Sequence, residues 1–284
     1  MSEMNKNGNA AAIVSIARNK SRPKVDDYIN AVFTDFFEQK GDGLGREDKS
    51  ILGGIALFEG RAVTVIGHRK GHNTLQNVDY NFGMASPEGF RKALRLMKQA
   101  EKFGRPVITF VDTPGAYPGL EAEMFGQSKA IAENLAGMSA LKVPVISIIT
   151  GEGSSGGALG IAVGNRVYML ENAVYSILSP EGFASILWHD SSRKDEAAAV
   201  MRLTAGDLKE FGVIDGIIEE DGADPGNYRS LFERIKNTIH EALGQLEGKT
   251  PDQLANERFM KFRNIDSKYL SYTDNWEQQF KCQE

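Results

Sequence analysis

The stretch VPVISIITGEGSSGG occupies residues 143–157 and joins an apolar run of strand length to a turn rich in glycine. A second stretch, VITFVDTPGAYPG at residues 107–119, has the same construction one repeat earlier in the chain. Two buried strands of this kind can bring their glycine turns into one cleft. Glycine has no Cβ atom, so backbone N–H groups there can closely approach a negatively charged ligand oxygen. The two stretches therefore favour chemistry on an oxyanion or enolate that backbone amides stabilise.

Strands and helices alternate around these two turns. The apolar spacing and the punctuation by glycine, proline and serine predict these further elements: a helix over 28–37, strands over 54–59 and 62–67 joined as a hairpin, helices over 86–103, 123–141 and 155–163, the strand 167–171, helices beginning at 179 and 204, the strand 213–218, and helices only after 226. Such alternation predicts an α/β architecture with parallel pairing. The short repeat fits a coiled stack of β-β-α units. We expect one domain over residues 23–245, with a flexible head over 1–22 and a helical tail over 246–284.

The composition is that of a globular protein, with 41% hydrophobic and 25% charged residues in a chain of 284, enough for one large core. No apolar run approaches the roughly 20 residues of a membrane span, and the N-terminus lacks a secretory pattern, so we expect a cytoplasmic protein. The net charge of −5 does not favour nucleic-acid binding. The single cysteine, Cys282, excludes an internal disulfide and a multi-cysteine zinc site within this chain.

The turn at 151–157 also fits the dinucleotide fingerprint. Gly151, Gly153 and Gly156 have the required spacing, and Glu171 ends the next predicted strand. The segment before that strand leaves room for only two or three helical turns, and the fingerprint does not account for the other glycine turn. Dinucleotide binding is therefore the weaker interpretation.

The same turn fits the nucleophile elbow of serine hydrolases, with Ser155 as the nucleophile. His189 or His240 would then have to supply the base, and nothing in their surroundings singles either out. A third interpretation is that the glycines merely permit a tight turn between strand and helix.

Three charged residues outside the turns are candidates for substrate binding. Arg69 and Lys70 follow a predicted strand between two glycines, and can either hold a phosphate or carboxylate or form a solvated basic turn. Glu181 is either an acidic residue in the first turn of a helix or a group that faces substrate.

Several blocks of the sequence resemble the alpha-subunit family of the bacterial acetyl-CoA carboxylase carboxyltransferases. They are VTVIGHRKG (63–71), NFGM followed by PEGFRKALRLMKQAEKFGRPVITFVDTPGAYPG (81–119), GQS followed by AIAENL (126–135), GEGSSGGAL (151–159) and NAVYSILSPEGFASILW (172–188). TAGDLKEFGVID (204–215) also resembles the element that closes the wider crotonase superfamily.

The resemblance implies a crotonase-like β-β-α spiral with helical terminal arms, and a zinc-bearing beta subunit of related fold as partner. Such pairs transfer the carboxyl group of carboxybiotin, carried on the biotin carboxyl carrier protein, to acetyl-CoA. The product, malonyl-CoA, is the first committed intermediate of fatty acid biosynthesis. An ATP-using biotin carboxylase completes the complex, and an α2β2 heterotetramer is implied for the carboxyltransferase. This chain is expected to bind no metal and no covalent cofactor, and to need neither nucleic acid nor membrane.

The resemblance also assigns roles to residues of the two turns. The expected amide donors to the ureido oxygen of carboxybiotin are Gly156 and Gly157 with Gly115 and Ala116, and the sequence leaves open which N–H group donates. The residues expected to contact substrate are Gly153, Ser155, Tyr117, Glu181, Arg69 and Lys70.

The chain departs from the family pattern at Ser154, where glycine is usual, and over residues 72–80, where Asp79 and Tyr80 replace residues that are commonly basic. The turn at 40–45 is altered and the N-terminal helical arm is shortened. These departures leave open a specialised paralogue that acts on another acyl-CoA. A serine hydrolase that uses Ser155 stays open as well, as does a non-catalytic regulatory or assembly subunit that keeps only the fold.

Overall fold

The computed structural model describes residues 10–220 and 228–265. Residues 1–9 of the expected head, and the part of the expected tail that contains Cys282, lie outside the described residues. The described strands are β1 Thr34–Glu38, β2 Ile51–Phe58, β3 Arg61–His68, β4 Val107–Thr113, β5 Val145–Ser154, β6 Arg166–Leu170, β7 Val174–Ser176 and β8 Gly216–Ile218.

All eight described strands belong to one mixed sheet. The first three pair antiparallel, and from β3 onward the order β3-β4-β5-β6-β8 is parallel throughout. The predicted hairpin is confirmed, because Phe58 pairs with Arg61 and the two residues between them, Glu59 and Gly60, have φ of 49° and 80°. Left-handed φ at both central residues matches the twist of a two-residue hairpin.

The described helices are α1 Ala10–Ala17, α2 Val25–Val32, α3 Thr74–Asp79, α4 Pro87–Lys102, α5 Leu120–Met124, α6 Gln127–Ala140, α7 Ser155–Leu159, α8 Pro180–Trp188, α9 Lys194–Met201, α10 Ala205–Glu210, α11 Arg229–Leu246 and α12 Pro251–Arg263. Several begin where the sequence predicts, since Pro87 and Pro180 take the first helical position and Thr204 caps α10 through its side chain.

Strand β5 decides the position of the glycine turn. All ten of its residues are buried, and its first half lies between β4 and β6. Its last three residues instead pair with β7, through Glu152, Gly153 and Ser154. A strand that is paired as far as its last residue fixes the point where the following turn begins.

The structure corrects the prediction of a helix over 28–37. Helix α2 ends at Val32, Phe33 is extended with φ −120° and ψ 161°, and residues 34–38 form the edge strand β1. The aromatic residues that suggested a helical face suit a strand equally well. In β1, Phe37 pairs with Ile55 of β2.

Three smaller predictions also change. The helix predicted over 123–141 is two helices, because Gly126 between them is left-handed with φ 81°. The helix predicted over 155–163 ends at Leu159. Strand β7 is absent from the sequence-based prediction, since three residues are too few to show a period of two.

The amino ends of the parallel strands are closed by α12. Arg258 of this helix is 0% exposed, and its guanidinium donates to the carbonyl oxygens of Met138, Leu141 and Val143 and to Asn165 Oδ1. Met138 lies in the last turn of α6, Leu141 and Val143 lie between α6 and β5, and Asn165 directly precedes β6. The cation therefore satisfies the carbonyl groups at the C-terminus of α6, which have no partner within the helix.

At the opposite end, α1 brings the head segment to the carboxyl ends of the strands. Its residues Ala10, Val14 and Ala17 form a small buried cluster with Val174 of β7 and with residues of α9 and the following segment. Arg18 comes directly after this helix. Among the described residues no helix is long and apolar enough to cross a membrane.

Candidate active site

The structure brings the two glycine turns into direct contact. A Cβ atom built on Gly157 would lie 2.4 Å from the backbone nitrogen of Ala116 and 2.4 Å from the carbonyl carbon of Gly115. Real Cβ atoms do not approach other heavy atoms so closely. Only glycine at position 157 therefore permits the turn after β4 to lie against the first turn of α7.

The hydrogen bonds of the two turns show which backbone N–H groups already have an acceptor and which do not. The Gly115 N–H donates to Thr113 Oγ1 at 3.1 Å, and the same hydroxyl donates to the Gly115 carbonyl at 2.6 Å. Within the described residues the N–H of Ala116 donates no hydrogen bond, and it lies next to Gly157. Gly156 and Gly157 lie in the first turn of α7, where N–H groups have no partner inside the helix. The available donors are thus those of residues 116, 156 and 157.

A line of charged side chains runs behind these turns, and we call it the charge network: Lys70, Asp112, Glu152, Arg18 and Glu181. Lys70 Nζ lies 2.7 Å from Asp112 Oδ1 and 3.4 Å from Glu152 Oε2. Arg18 Nε donates to Glu152 Oε1 at 2.7 Å, and its terminal nitrogens donate to both oxygens of Glu181. The Glu152 N–H donates to Asp112 Oδ1 at 3.0 Å. This last bond joins the ends of β4 and β5, from which the two glycine turns start.

Within the network, Lys70 and Asp112 compensate each other's charge. Burial alone would raise the pKa of Asp112, but the charge of Lys70 and its hydrogen bond outweigh burial and hold that pKa below its usual value. Burial would lower the pKa of Lys70, but Asp112 and Glu152 together hold it above its usual value. Both groups are therefore ionised at neutral pH, although their side chains are largely buried.

The predicted substrate-binding residues fall into different places. Lys70 and Glu181 belong to the charge network. Arg69 points elsewhere, since it pairs with Asp26 at 2.7 Å and covers the ring of Tyr80 at 4.6 Å. Arg69 thus lies in a structural contact.

Of the remaining three, Gly153 and Tyr117 lie beside the turns. Gly153 is buried where β5 passes β7, and a Cβ there would lie 2.9 Å from the ring of Tyr175. Tyr117 is half-buried, packs its ring over Gly119, and donates its N–H to the Ala85 carbonyl at 3.0 Å. Tyr117 fixes the path of the turn after Ala116.

Ser155 is exposed and has a left-handed φ of 56°. None of the four histidines of the chain forms a hydrogen bond with it in the described structure. His240 pairs with Glu59, His72 faces Asp27, and His189 ends α8. The fourth, His68, is buried, and burial lowers its pKa to about 4. The described residues therefore contain no serine–histidine pair of the kind a hydrolase needs.

Sequence reasoning missed two of the three acidic members of the charge network, Asp112 and Glu152, and its arginine, Arg18. Asp112 and Glu152 lie inside the two stretches that gave the glycine turns, and their position at the end of buried strands was a usable signal. Arg18 comes from the head segment, and no local pattern links it to a site 134 residues away. No group of three or more metal-ligating side chains occurs among the residues the structure describes.

Solved structures share this fold at low sequence identity. The transcarboxylase 12S core has a TM-score of 0.64 and 21% identity, over 79% of this chain and 41% of that chain. A Pseudomonas malonate decarboxylase hetero-tetramer has a TM-score of 0.64 and 16% identity, over 81% of this chain and 92% of that chain. These likenesses confirm the predicted crotonase-like fold.

Sequence comparison then defines the family. Residues 1–266 match the family described as acetyl co-enzyme A carboxylase carboxyltransferase-like. The chain belongs to this family. A Clostridium perfringens relative named acetyl-coenzyme A carboxylase carboxyl transferase subunit alpha is 58% identical over 255 residues, 89% of this chain and 94% of that protein. Relatives of the same name are 53% identical in Clostridium acetobutylicum, over 92% of this chain and 96% of the relative, and 52% identical in Bacillus thuringiensis, over 93% and 82%.

Proposed function

We propose that this chain is the carboxybiotin-binding half of a two-subunit carboxyltransferase that forms malonyl-CoA from acetyl-CoA. The observation that carries the proposal is the contact between the two glycine turns, which places free amides of residues 116, 156 and 157 together. Family membership supports the reaction class.

The amides supply electrostatic stabilisation. Carboxybiotin, presented by its carrier protein, contributes the carboxyl group to be transferred. The N–H groups of Ala116, Gly156 and Gly157 would bind the ureido oxygen and stabilise the negative charge that develops on it. Preorganised donors of this kind are among the largest contributions to catalysis. Because the Gly115 N–H already donates to Thr113, Gly115 would act by permitting the turn, with its φ of 151°, more than by donating.

The charge network would hold these donors in place. Asp112 accepts the Glu152 N–H and thereby fixes the distance between the ends of β4 and β5. Lys70 keeps Asp112 ionised, and Arg18 holds Glu152 and Glu181. In this proposal Lys70 and Glu181 position the site, and Ser155, which is exposed at the start of α7, lines it.

A partner subunit would complete the site. Large apolar side chains are exposed in the segments that follow the strand ends: Leu120, Met124, Leu159, Ile177, Ile186 and Leu187. Exposed apolar groups in several such segments are typical of a contact surface. We infer that a zinc-bearing beta subunit of related fold covers these segments and holds the acyl thioester, in an α2β2 assembly supplied by biotin carboxylase in the cytoplasm.

Reconstitution tests the proposal. The purified chain is assayed for carboxyl transfer between malonyl-CoA and biotin, with the beta subunit added and omitted. We expect turnover only with both chains present. Turnover by this chain alone, or no turnover with an active beta subunit present, would contradict the proposal.

A further inference from the structure

A cleft of about 540 Å³ opens beside the charge network. Its walls come from the segment after α1, the segment after β3 and the turn after β4. The charged side chains that line it are the cations Arg18, Lys20, Lys24 and Lys70 and the carboxylates Asp112 and Glu152. Lys70 and Arg18 are ion-paired within the charge network. The other two cations of the cleft, Lys20 and Lys24, lie outside the charge network.

Lys24 is the unusual one. It is 6% exposed, and within residues 10–220 and 228–265 its ammonium group forms no hydrogen bond and no ion pair. The neighbouring carboxylate of Asp27 accepts the backbone N–H of Lys24 at 2.7 Å. Lys20, by contrast, is exposed at the rim, where water satisfies it.

An unpaired ammonium in this position is unfavourable by itself. Most of the Lys24 side chain is withdrawn from water while its ammonium nitrogen stays in contact with the solvent of the cleft, so the charge is partly desolvated at a cost in free energy. Burial, and then the charges of Lys70 and Arg22, lower the pKa of Lys24, while Asp112 opposes them. A negatively charged ligand in the cleft would give the Lys24 ammonium group a partner and would reduce the repulsion between the cations.

We propose that Lys24 and this cleft form a binding site for a small monoanion of the carboxylate or bicarbonate class. A monoanion suits the cleft because, among the described residues that line it, Lys24 is the one largely buried cation without a partner, and the carboxylates of Asp112 and Glu152 repel a dianion such as phosphate. The binding site stands on the geometry of this chain, whereas the connection of the anion with turnover rests on the proposed function.

Calorimetry on the full chain tests the binding. Sodium acetate is titrated at neutral pH and at an ionic strength held constant with chloride. We expect saturable binding to one site, weakened about tenfold or more in Lys24→Gln, because a hydrogen bond to a charged group is lost. Lys40→Gln is the matched control, since Lys40 is exposed, lies outside the cleft, and carries the same charge. Its affinity for acetate should equal that of the wild type.

A labelling measurement on the wild-type chain covers the case in which Lys24→Gln fails to fold. The chain is treated with an amine-reactive reagent with and without acetate, and modification is read at each lysine by mass spectrometry. Acetate should slow modification of Lys24 and leave Lys40 unchanged. Equal acetate affinity in wild type and Lys24→Gln, no protection of Lys24, or tighter binding of inorganic phosphate than of acetate would each overturn the proposal.

The two sources of such an anion are a free ion in solution and a carboxylate attached to substrate. In the assembled enzyme, acetate should compete with malonyl-CoA if the site takes a substrate carboxylate, and should act without competition if the site takes a free ion. Either behaviour should disappear in Lys24→Gln. Persistence of the acetate effect on turnover in Lys24→Gln would overturn the site. If the wild-type chain binds acetate but the assembled wild-type enzyme shows no turnover, only the proposed function is overturned.

Discussion

The two ends of the sheet compensate buried cations differently. At the amino end, Arg258 is surrounded by neutral carbonyl and amide oxygens that accept its hydrogen bonds. At the carboxyl end, Lys70 is paired with two carboxylates and Lys24 with none. A cation bonded to neutral oxygens in this way holds helices and strands together and, since it is fully buried, is not available to a ligand at the cleft. Charged side chains beside an open cleft can instead interact with a ligand. The carboxyl ends of parallel strands are where ligands typically bind.

Replacing Arg258 should have the largest effect, and on stability alone. Burial lowers the pKa of Arg258 to about 10, so it is cationic at neutral pH, and Arg258→Met would leave several buried carbonyl groups without donors. We expect a loss of about 3–5 kcal/mol in the free energy of unfolding, because each buried acceptor left without a donor costs about 1–3 kcal/mol, measured by urea denaturation. Arg263→Met, at an exposed position of the same helix, should change stability by no more than about 0.5 kcal/mol. Equal effects at 258 and 263 would show that the amino end does not depend on this residue.

Gly157→Ala should have the next largest effect, and on turnover. The added methyl group would push the turn at 115–116 away from α7 and separate the amide donors. Loss of one such donor typically lowers the rate by ~10²–10³, and the assay is carboxyl transfer by the reconstituted enzyme. Gly244→Ala is the control, because a Cβ there meets nothing within 4 Å in an exposed part of α11. Near-normal turnover of Gly157→Ala would show that the contact between the turns is not required.

Two ion pairs of equal length allow a third test. Lys70–Asp112 and Lys49–Asp79 both measure 2.7 Å, but the side chains of the first pair are 14% exposed and those of the second are 58% and 52% exposed. Asp112→Asn should destabilise the protein by about 3 kcal/mol at neutral pH, the lower end for breaking a buried pair. Asp79→Asn should change stability little, because water screens exposed pairs.

The pH dependence of the same variants has a definite sign. The pKa of Asp112 is lower in the folded protein than the ~3.9 of an unfolded chain. Its stabilising contribution is therefore complete above about pH 4 and is lost as pH falls through the folded pKa. Wild type and Asp112→Asn should thus converge in stability on acidification. A difference that persists unchanged to low pH would show that ionisation of Asp112 is not the cause.

The elements that sequence predicted well are those with local signals. The two strands with their glycine turns, the hairpin and the proline-initiated helices depend on neighbouring residues, and all were found. The helix predicted through residues 34–38 was wrong because aromatic residues suit a helix and an edge strand alike. The pairing of β7 with the end of β5 depends on residues 22 positions apart, Glu152 and Val174, which no local pattern reveals.

The site divides in the same way. The glycines could be singled out from sequence because glycine directly after a buried strand usually marks a tight turn or a close approach to a ligand. Lys70 could be singled out because it lies next to such a glycine after a predicted strand. The use of the Gly115 N–H by Thr113, the partnership of Arg69 with Asp26, and the joining of Arg18 to Glu152 are properties of side-chain placement. Such contacts depend on tertiary distances, and the sequence carries no periodicity for them.

Ser155 should give the smallest effect, and it separates the carboxyltransferase from a serine hydrolase. Its φ of 56° is strained for a residue with a side chain, and the described histidines do not reach it. Ser155→Gly should relieve roughly 1 kcal/mol of backbone strain, offset in part by the freedom of glycine in the unfolded chain. Ser155→Ala should lower carboxyl transfer by no more than about fivefold, the equivalent of one ordinary hydrogen bond. The stability of Ser155→Gly is measured by urea denaturation and the transfer rate of Ser155→Ala with reconstituted enzyme. Labelling of the wild type by a fluorophosphonate is measured as well, and we expect none. If Ser155→Ala lost as much activity as Gly157→Ala and the wild type were labelled, the serine would be a nucleophile and the amides its oxyanion hole.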